Sequence, residues 1–168
     1  IFNAGATNIT TSGAQAFNSA VSIAAATTTF TAGSNITFSG TITGASAGRN
    51  LTLTGGAGAN VFTLTGALSN LGTVTVTGAG GTDTLVVTAA TKSFNITSSN
   101  TGTITGLGGV ATAFNWSAIS NLTGGGTDTL TNTNTTNTWT LTGSNAGTVT
   151  NLSGSFAGMG TLTGGSGT

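Results

Sequence analysis

A six-residue run that occurs twice constrains this chain most. Gly80-Gly81-Thr82-Asp83-Thr84-Leu85 returns unchanged as Gly125-Gly126-Thr127-Asp128-Thr129-Leu130, 45 positions later. The flanks match too. TKSFNITSSNTGTIT at 91–105 and TNTWTLTGSNAGTVT at 136–150 share an aromatic-x-aliphatic-Thr core, then Ser-Asn-x-Gly-Thr-aliphatic-Thr. Self-similarity at a period of about 20–50 residues marks a repeat architecture. The chain reads as one domain, 1–168, with internal repeats near 80–124 and 125–168, and as a segment or subunit of a larger assembly.

Within the repeats, apolar and polar residues alternate. Ile36 and Phe38 point one way, Thr37 and Ser39 the other; Leu51–Thr54, Phe62–Thr65 and Val74–Thr77 repeat the pattern. Period two over four to six residues, bounded by Gly or Asn, is a half-buried strand. Thr supplies 41 of 168 residues and suits such strands, because it is β-branched yet polar on the wet face. Disorder is excluded by a 36% hydrophobic content with eight Phe and two Trp, since disordered chains lack apolar material to bury. Residues 1–34 are less regular but read as strands as well; Ala24-Ala25-Ala26 has neither a cap nor a 3.6-residue stripe.

Spacing then selects a topology. Leu53 to Val76 is 23 residues, Val76 to Ile96 is 20, and Leu122 to Leu141 is 19. A meander would use Asn-Gly or Asp-Gly hairpin turns, and neither dipeptide occurs. The expectation is an all-β parallel β-helix of about eight coils of roughly 20 residues each. Gly and Asn take the corners, where positive φ is tolerated, and the absence of Pro spares the ladder donors.

From Gly33, the stretch GSNITFSGTITGASAGRNLTLTGGAGANVFTLTGALSNLGTVTVTGAGGTD resembles the β-strand repeats of large secreted bacterial adhesins of the filamentous-haemagglutinin type, exported by two-partner secretion. The resemblance covers the chain from about residue 33 on and is one of repeat style. It implies a right-handed β-helix, export, and an adhesive or matrix role at the cell surface.

Composition removes most chemistry. The chain has no His, Cys, Tyr or Glu, so a serine triad, a cysteine nucleophile and a zinc site lack their residues. Two basic side chains cannot supply a phosphate footprint, which excludes nucleic acid. No run approaches the ~20 apolar residues of a membrane helix, so no membrane insertion is expected. The two carboxylates, Asp83 and Asp128, are about two coils apart and are expected to stack on one face as corner residues capping backbone turns. Calcium is the one metal worth weighing. Gly55-Gly56-Ala57-Gly58-Ala59-Asn60-Val61-Phe62 approximates a calcium-binding nonapeptide, with Asn60, Asp83 and Asp128 as the oxygen donors. Those positions stand 23 and 45 residues apart rather than in tandem, so no cofactor is expected. Eight Asn-x-Ser/Thr sequons begin at Asn8, Asn35, Asn50, Asn95, Asn115, Asn121, Asn134 and Asn151; the repeat pattern creates them, and corner Asn is the reading.

The function expected is non-enzymatic: an extracellular or cell-surface structural protein forming a filament, stalk or matrix, self-associating head-to-tail or laterally. The alternative is a binding module whose flat Thr-rich face takes surface polysaccharide or ice. Far-ultraviolet circular dichroism is expected to show β signal with almost no helix; a strong helical double minimum would overturn the strand reading.

Overall fold

The computed structural model describes residues 2–164, and every regular element among them is a strand. From Phe2 to Val87 the chain lays down three strands per pass. The first pass is β1 (Phe2–Ala4), β2 (Asn8–Thr11) and β3 (Gln15–Phe17). The second is β4 (Val21–Ile23), β5 (Thr27–Ala32) and β6 (Ile36–Phe38). The third is β7 (Ile42–Gly44), β8 (Arg49–Thr54) and β9 (Val61–Leu64), and the fourth β10 (Leu68–Ser69), β11 (Leu71–Thr77) and β12 (Thr84–Val87). Equivalent strands pair in parallel. β1-β4-β7-β10 form a separate four-stranded sheet, and β2-β5-β8-β11 and β3-β6-β9-β12 form two further ladders. Leu53 opposes Val76, as the 23-residue spacing predicts.

Beyond Val87 the chain reverses. β13 (Ser93–Ser98), β14 (Thr101–Thr105) and β15 (Val110–Ser117) run antiparallel to one another. β15 joins β11 in parallel, while β13 joins β16 (Asn121–Asn132), which pairs with β12. The reversal therefore links the two ladders. Twelve strands follow one path, β2-β5-β8-β11-β15-β14-β13-β16-β12-β9-β6-β3, whose ends are consecutive in the chain. The result is a nearly closed mixed barrel with the four-stranded parallel sheet beside it. A second reversal, β17 (Trp139–Gly143) and β18 (Ala146–Val149), is antiparallel and leads to β19 (Phe156–Thr163), which lies on β16.

This corrects the expected right-handed parallel β-helix of eight coils. In the first half, parallel partners such as Phe2 and Val21 are 19 positions apart. In the second half, Val74 and Phe114 are 40 apart and Leu122 and Phe156 are 34 apart, because a hairpin lies between them. The spacings from Val76 to Ile96 and from Leu122 to Leu141 do not correspond to pairs: Val76 opposes Trp116, and Leu122 opposes Phe156. The reversals are made by Ser-Asn turns. Asn100 and Asn145 hold φ of 50° and 59°, the left-handed region that Asn tolerates better than most residues. The two hairpins superpose in register: Phe94 opposes Ile104 as Trp139 opposes Val149, and Ile96 opposes Gly102 as Leu141 opposes Gly147. Gly102 and Gly147 are required there, because a Cβ on either would collide with the carbonyl of the facing strand, Asn95 or Thr140, and at Gly102 also with the Trp116 ring.

The inward residues form rows across the sheet. Ile9, Phe30, Leu53, Val76 and Trp116 make one; Ile36, Phe62, Leu85, Leu122 and Phe156 make another. At the open first pass Phe17 stacks on Phe38 at 4.8 Å, with Phe30 edge-on to both. Gln15 heads the second row in an inward position. Its Nε2 donates to the carbonyls of Ile9 (3.1 Å) and Thr31 (2.8 Å), a polar lid on that end of the core. Both tryptophans belong inside on the sequence pattern; Trp116 is buried, but Trp139 is only half-buried.

Phe62→Ala is expected to cost about 3–5 kcal/mol in urea denaturation, through transfer and cavity terms. Leu141→Ala, at an exposed position, should stay within about 0.5 kcal/mol.

Candidate functional site

The charged side chains are not on the surface. Asp83, Lys92 and Asp128 are buried, and Arg49 is half-buried. Asp83, Lys92 and Asp128 belong to two clamps built alike, each at the start of a strand, and Arg49 belongs to neither. In the first, Thr84 opposes Val61, which sets Asp83 beside Asn60. Asp83 Oδ1 accepts the Asn60 backbone N–H at 2.7 Å and Asn60 Nδ2 at 2.9 Å. Asn60 Nδ2 also donates to the carbonyls of Gly56 (2.8 Å) and Gly58, and Gly56 N–H donates to Asn60 Oδ1 at 3.3 Å. The Asp83 carbonyl accepts the N–H groups of both Ser120 and Asn121 at 2.9 Å. Asp83 Oδ2 has no donor among the described residues and lies against Gly78, where a Cβ would collide with it.

In the second clamp Ser93 opposes Thr129, which sets Lys92 beside Asp128. Asp128 Oδ1 accepts the Lys92 backbone N–H at 3.0 Å, the bond Asp83 makes to Asn60. Asp128 Oδ2 takes Lys92 Nζ at 2.7 Å and the Gly125 N–H at 2.7 Å. Lys92 Nζ also donates to the Ala90 carbonyl at 3.0 Å and lies 5.5 Å from the centre of the Phe94 ring. Both side chains of this ion pair are fully shielded from solvent. The repeated Asp therefore caps a neighbouring strand in both copies, and the residue it meets changes from amide to ammonium.

This geometry bears on two readings of the sequence. Asp83 and Asp128 do not stack: one lies beside Asn60 and Ser120, the other beside Lys92. The calcium reading of Asn60, Asp83 and Asp128 meets the wrong polarity. A calcium ion needs six to eight converging oxygens, whereas three of these four carboxylate oxygens accept from N–H groups or an ammonium and the two carboxylates do not converge. Among the described residues no three His, Cys, Asp or Glu side chains come together. Sequence reasoning missed Lys92 as a partner for Asp128; Lys92 stands before an aromatic-x-aliphatic strand as Asn60 does, but that likeness does not say which aspartate it meets.

The positive-φ asparagines are Asn70, Asn100, Asn145 and Asn151; Asn35, Asn50 and Asn121 do something else, tying one pass of the chain to the next through the side chain. The Oδ1 atoms of Asn35, Asn50 and Asn121 accept the N–H groups of Val61 (2.9 Å), Thr73 (2.9 Å) and Ser155 (2.8 Å) on the next strand. Thr rows line the outer face. Thr29, Thr52 and Thr75 oppose one another in register, and so do Thr31, Thr54 and Thr77. An open groove of about 380 Å³ is lined by Ile104, Leu107, Val110 and Phe114 with three Thr and carries no titratable group. No helix among the described residues is long and apolar enough to cross a membrane.

Comparison with protein-family models, with curated proteins and with solved structures found no match to this chain.

Asp128→Ala leaves the Lys92 ammonium buried and unpaired, and is expected to cost about 3–5 kcal/mol in denaturant melts. The double change Lys92→Met with Asp128→Leu removes both charges and should recover most of that loss. Chelator at millimolar concentration should leave the melting temperature where it was; a drop of several degrees would restore calcium to the clamps.

Proposed function

We propose that this chain is an extracellular, non-catalytic structural protein, a segment or subunit of a filament, stalk or surface matrix. The observation that carries the reading is the placement of charge. Three of its four charged side chains lie in the interior, which leaves the exterior mostly hydroxyl, amide, backbone and small apolar groups, with Arg49 the one charge at its edge. A surface with almost no net or local charge does not oppose close approach of copies. The first pass adds strand edges, β1 to β3, each paired on one side only, and such edges favour further pairing. Head-to-tail or lateral association follows from these two features together. The repeat style shared with secreted bacterial adhesins supports a place outside the cell.

A second reading draws on the Thr rows. Hydroxyls at Thr29, Thr52, Thr75 and at Thr31, Thr54, Thr77 form a grid with spacings of about 4.8 Å between strands and about 6.6 Å along them. A flat hydroxyl grid suits a regular surface such as polysaccharide or ice. Asn8 and Asn115 extend the first row, so the chemistry of the grid changes at its ends.

Electron microscopy of the purified chain is the test, and fibres or ordered aggregates are expected. A monodisperse monomer at millimolar concentration would overturn the structural reading. Thermal hysteresis, or glycan retention lost on Thr52→Asp, would favour the second.

A further inference from the structure

The two clamps have a third, incomplete counterpart. Asn60-Val61-Phe62-Thr63-Leu64 and Lys92-Ser93-Phe94-Asn95-Ile96 each place a polar residue before an aromatic-x-aliphatic strand, and Asn137-Thr138-Trp139-Thr140-Leu141 does the same. Asn137 holds its loop as Asn60 does. Its Nδ2 donates to the carbonyls of Asn134 (2.8 Å) and Asn132 (3.2 Å), where Asn60 Nδ2 reaches Gly58 and Gly56. What differs is the partner. Asn60 has Asp83 and Lys92 has Asp128, but no aspartate meets Asn137, and its buried Oδ1 finds no donor among the described residues.

The strand that follows is uncovered in the same way. β13 is covered on one side by β14 and on the other by β16, with Phe94 opposite Leu130 and Lys92 beside Asp128. Phe94 and Ile96 are consequently fully buried. β17 matches β13 residue for residue in its hairpin, yet among the described residues it pairs only with β18. Trp139 is half-buried and Leu141 is 66% exposed, although they occupy the positions of Phe94 and Ile96.

We propose that the edge of β17 that no described strand covers, with Asn137, is a docking site for an extended strand of the Gly-Gly-Thr-Asp-Thr-Leu type. The strand would lie parallel to β17, its Leu over Trp139 and its Asp carboxylate on the Asn137 backbone N–H, as β16 lies on β13. A second folded copy does not supply this strand from its own repeats. β12 is paired with β9 and β16, and the Asp128–Asn132 part of β16 lies between β13 and β19. The partner is therefore an extended strand of this sequence that is not already paired in a folded copy. This stands apart from the filament reading: peptide capture at β17 succeeds or fails whether or not the purified chain forms fibres.

The test uses the 168-residue chain and a synthetic peptide, GGTDTLTN, which copies Gly125–Asn132. Titration by amide chemical-shift mapping should show saturable binding, with shifts concentrated on 137–143. A GGTATLTN peptide should bind at least about tenfold more weakly, since a charge-assisted hydrogen bond is lost. Leu141→Asp alters an exposed side chain and should keep the melting curve while abolishing capture. Asn137→Lys recreates the ammonium of the second clamp and should tighten the Asp peptide about tenfold at low salt, but not the Ala peptide. No binding at millimolar peptide, or binding indifferent to both the peptide Asp and Leu141, overturns the proposal. So does a dimer of the chain itself that Leu141→Asp dissolves while the peptide fails to bind, which would assign the edge to a second copy.

Discussion

Register is the constraint on which the molecule depends. Every strand alternates inward and outward residues, so a slip of one residue would turn a whole apolar row to solvent. Much of this sheet is built from Thr, Gly and Ser, which pin a register weakly by themselves. The buried carboxylates supply the pin. Each accepts the backbone N–H of the residue that begins the neighbouring strand and then a donor from that residue's side chain. A one-residue slip would strand a charge in the core, at a cost of several kcal/mol. The side chains of Asn35, Asn50 and Asn121 repeat the device without charge at Val61, Thr73 and Ser155.

Pinned strand starts allow irregular paths between them. The fourth pass ends at Val87, and the chain then inserts a hairpin before returning to the ladder. That insertion is tolerated because its return strand carries glycine where a large ring must pass, Gly102 under Trp116 and Gly147 under Phe156. Hairpin, glycine and aromatic are thus one unit. Its second use leaves β17 without the outer strand that its first use acquired.

The interior placement of Asp83, Lys92 and Asp128 ties stability to surface chemistry. A chain with four charged residues has few to give, and three of them hold strands together. The exterior left over is neutral and rich in hydroxyls, suited to contact with other strands or extended surfaces. Neither carboxylate lines the open groove beside Phe114, so the chemistry-bearing residues and the accessible space are separate.

By itself the sequence determined the class of structure and the facing of its residues. Alternation at Leu51–Thr54, Phe62–Thr65 and Val74–Thr77 identifies strands and their buried sides, because side-chain direction in a strand is a local property. The duplicated Asp marked repeat positions, but the expected stacked, turn-capping role gave way to one the register decided, holding the start of a neighbouring strand 23 or 36 residues away. Only the tertiary structure decided which strands are neighbours. Alternation is identical in parallel and antiparallel strands, and a spacing near 20 residues fits either a coil or a hairpin and its return. At Ser99-Asn100 and Ser144-Asn145 the chain turns back through two Asn residues in the left-handed region, and the return strands then set Gly102 opposite Trp116 and Gly147 opposite Phe156. Lys92 beside Asp128 was hidden for the same reason. Their 36-residue separation is bridged by sheet register, which no local pattern encodes.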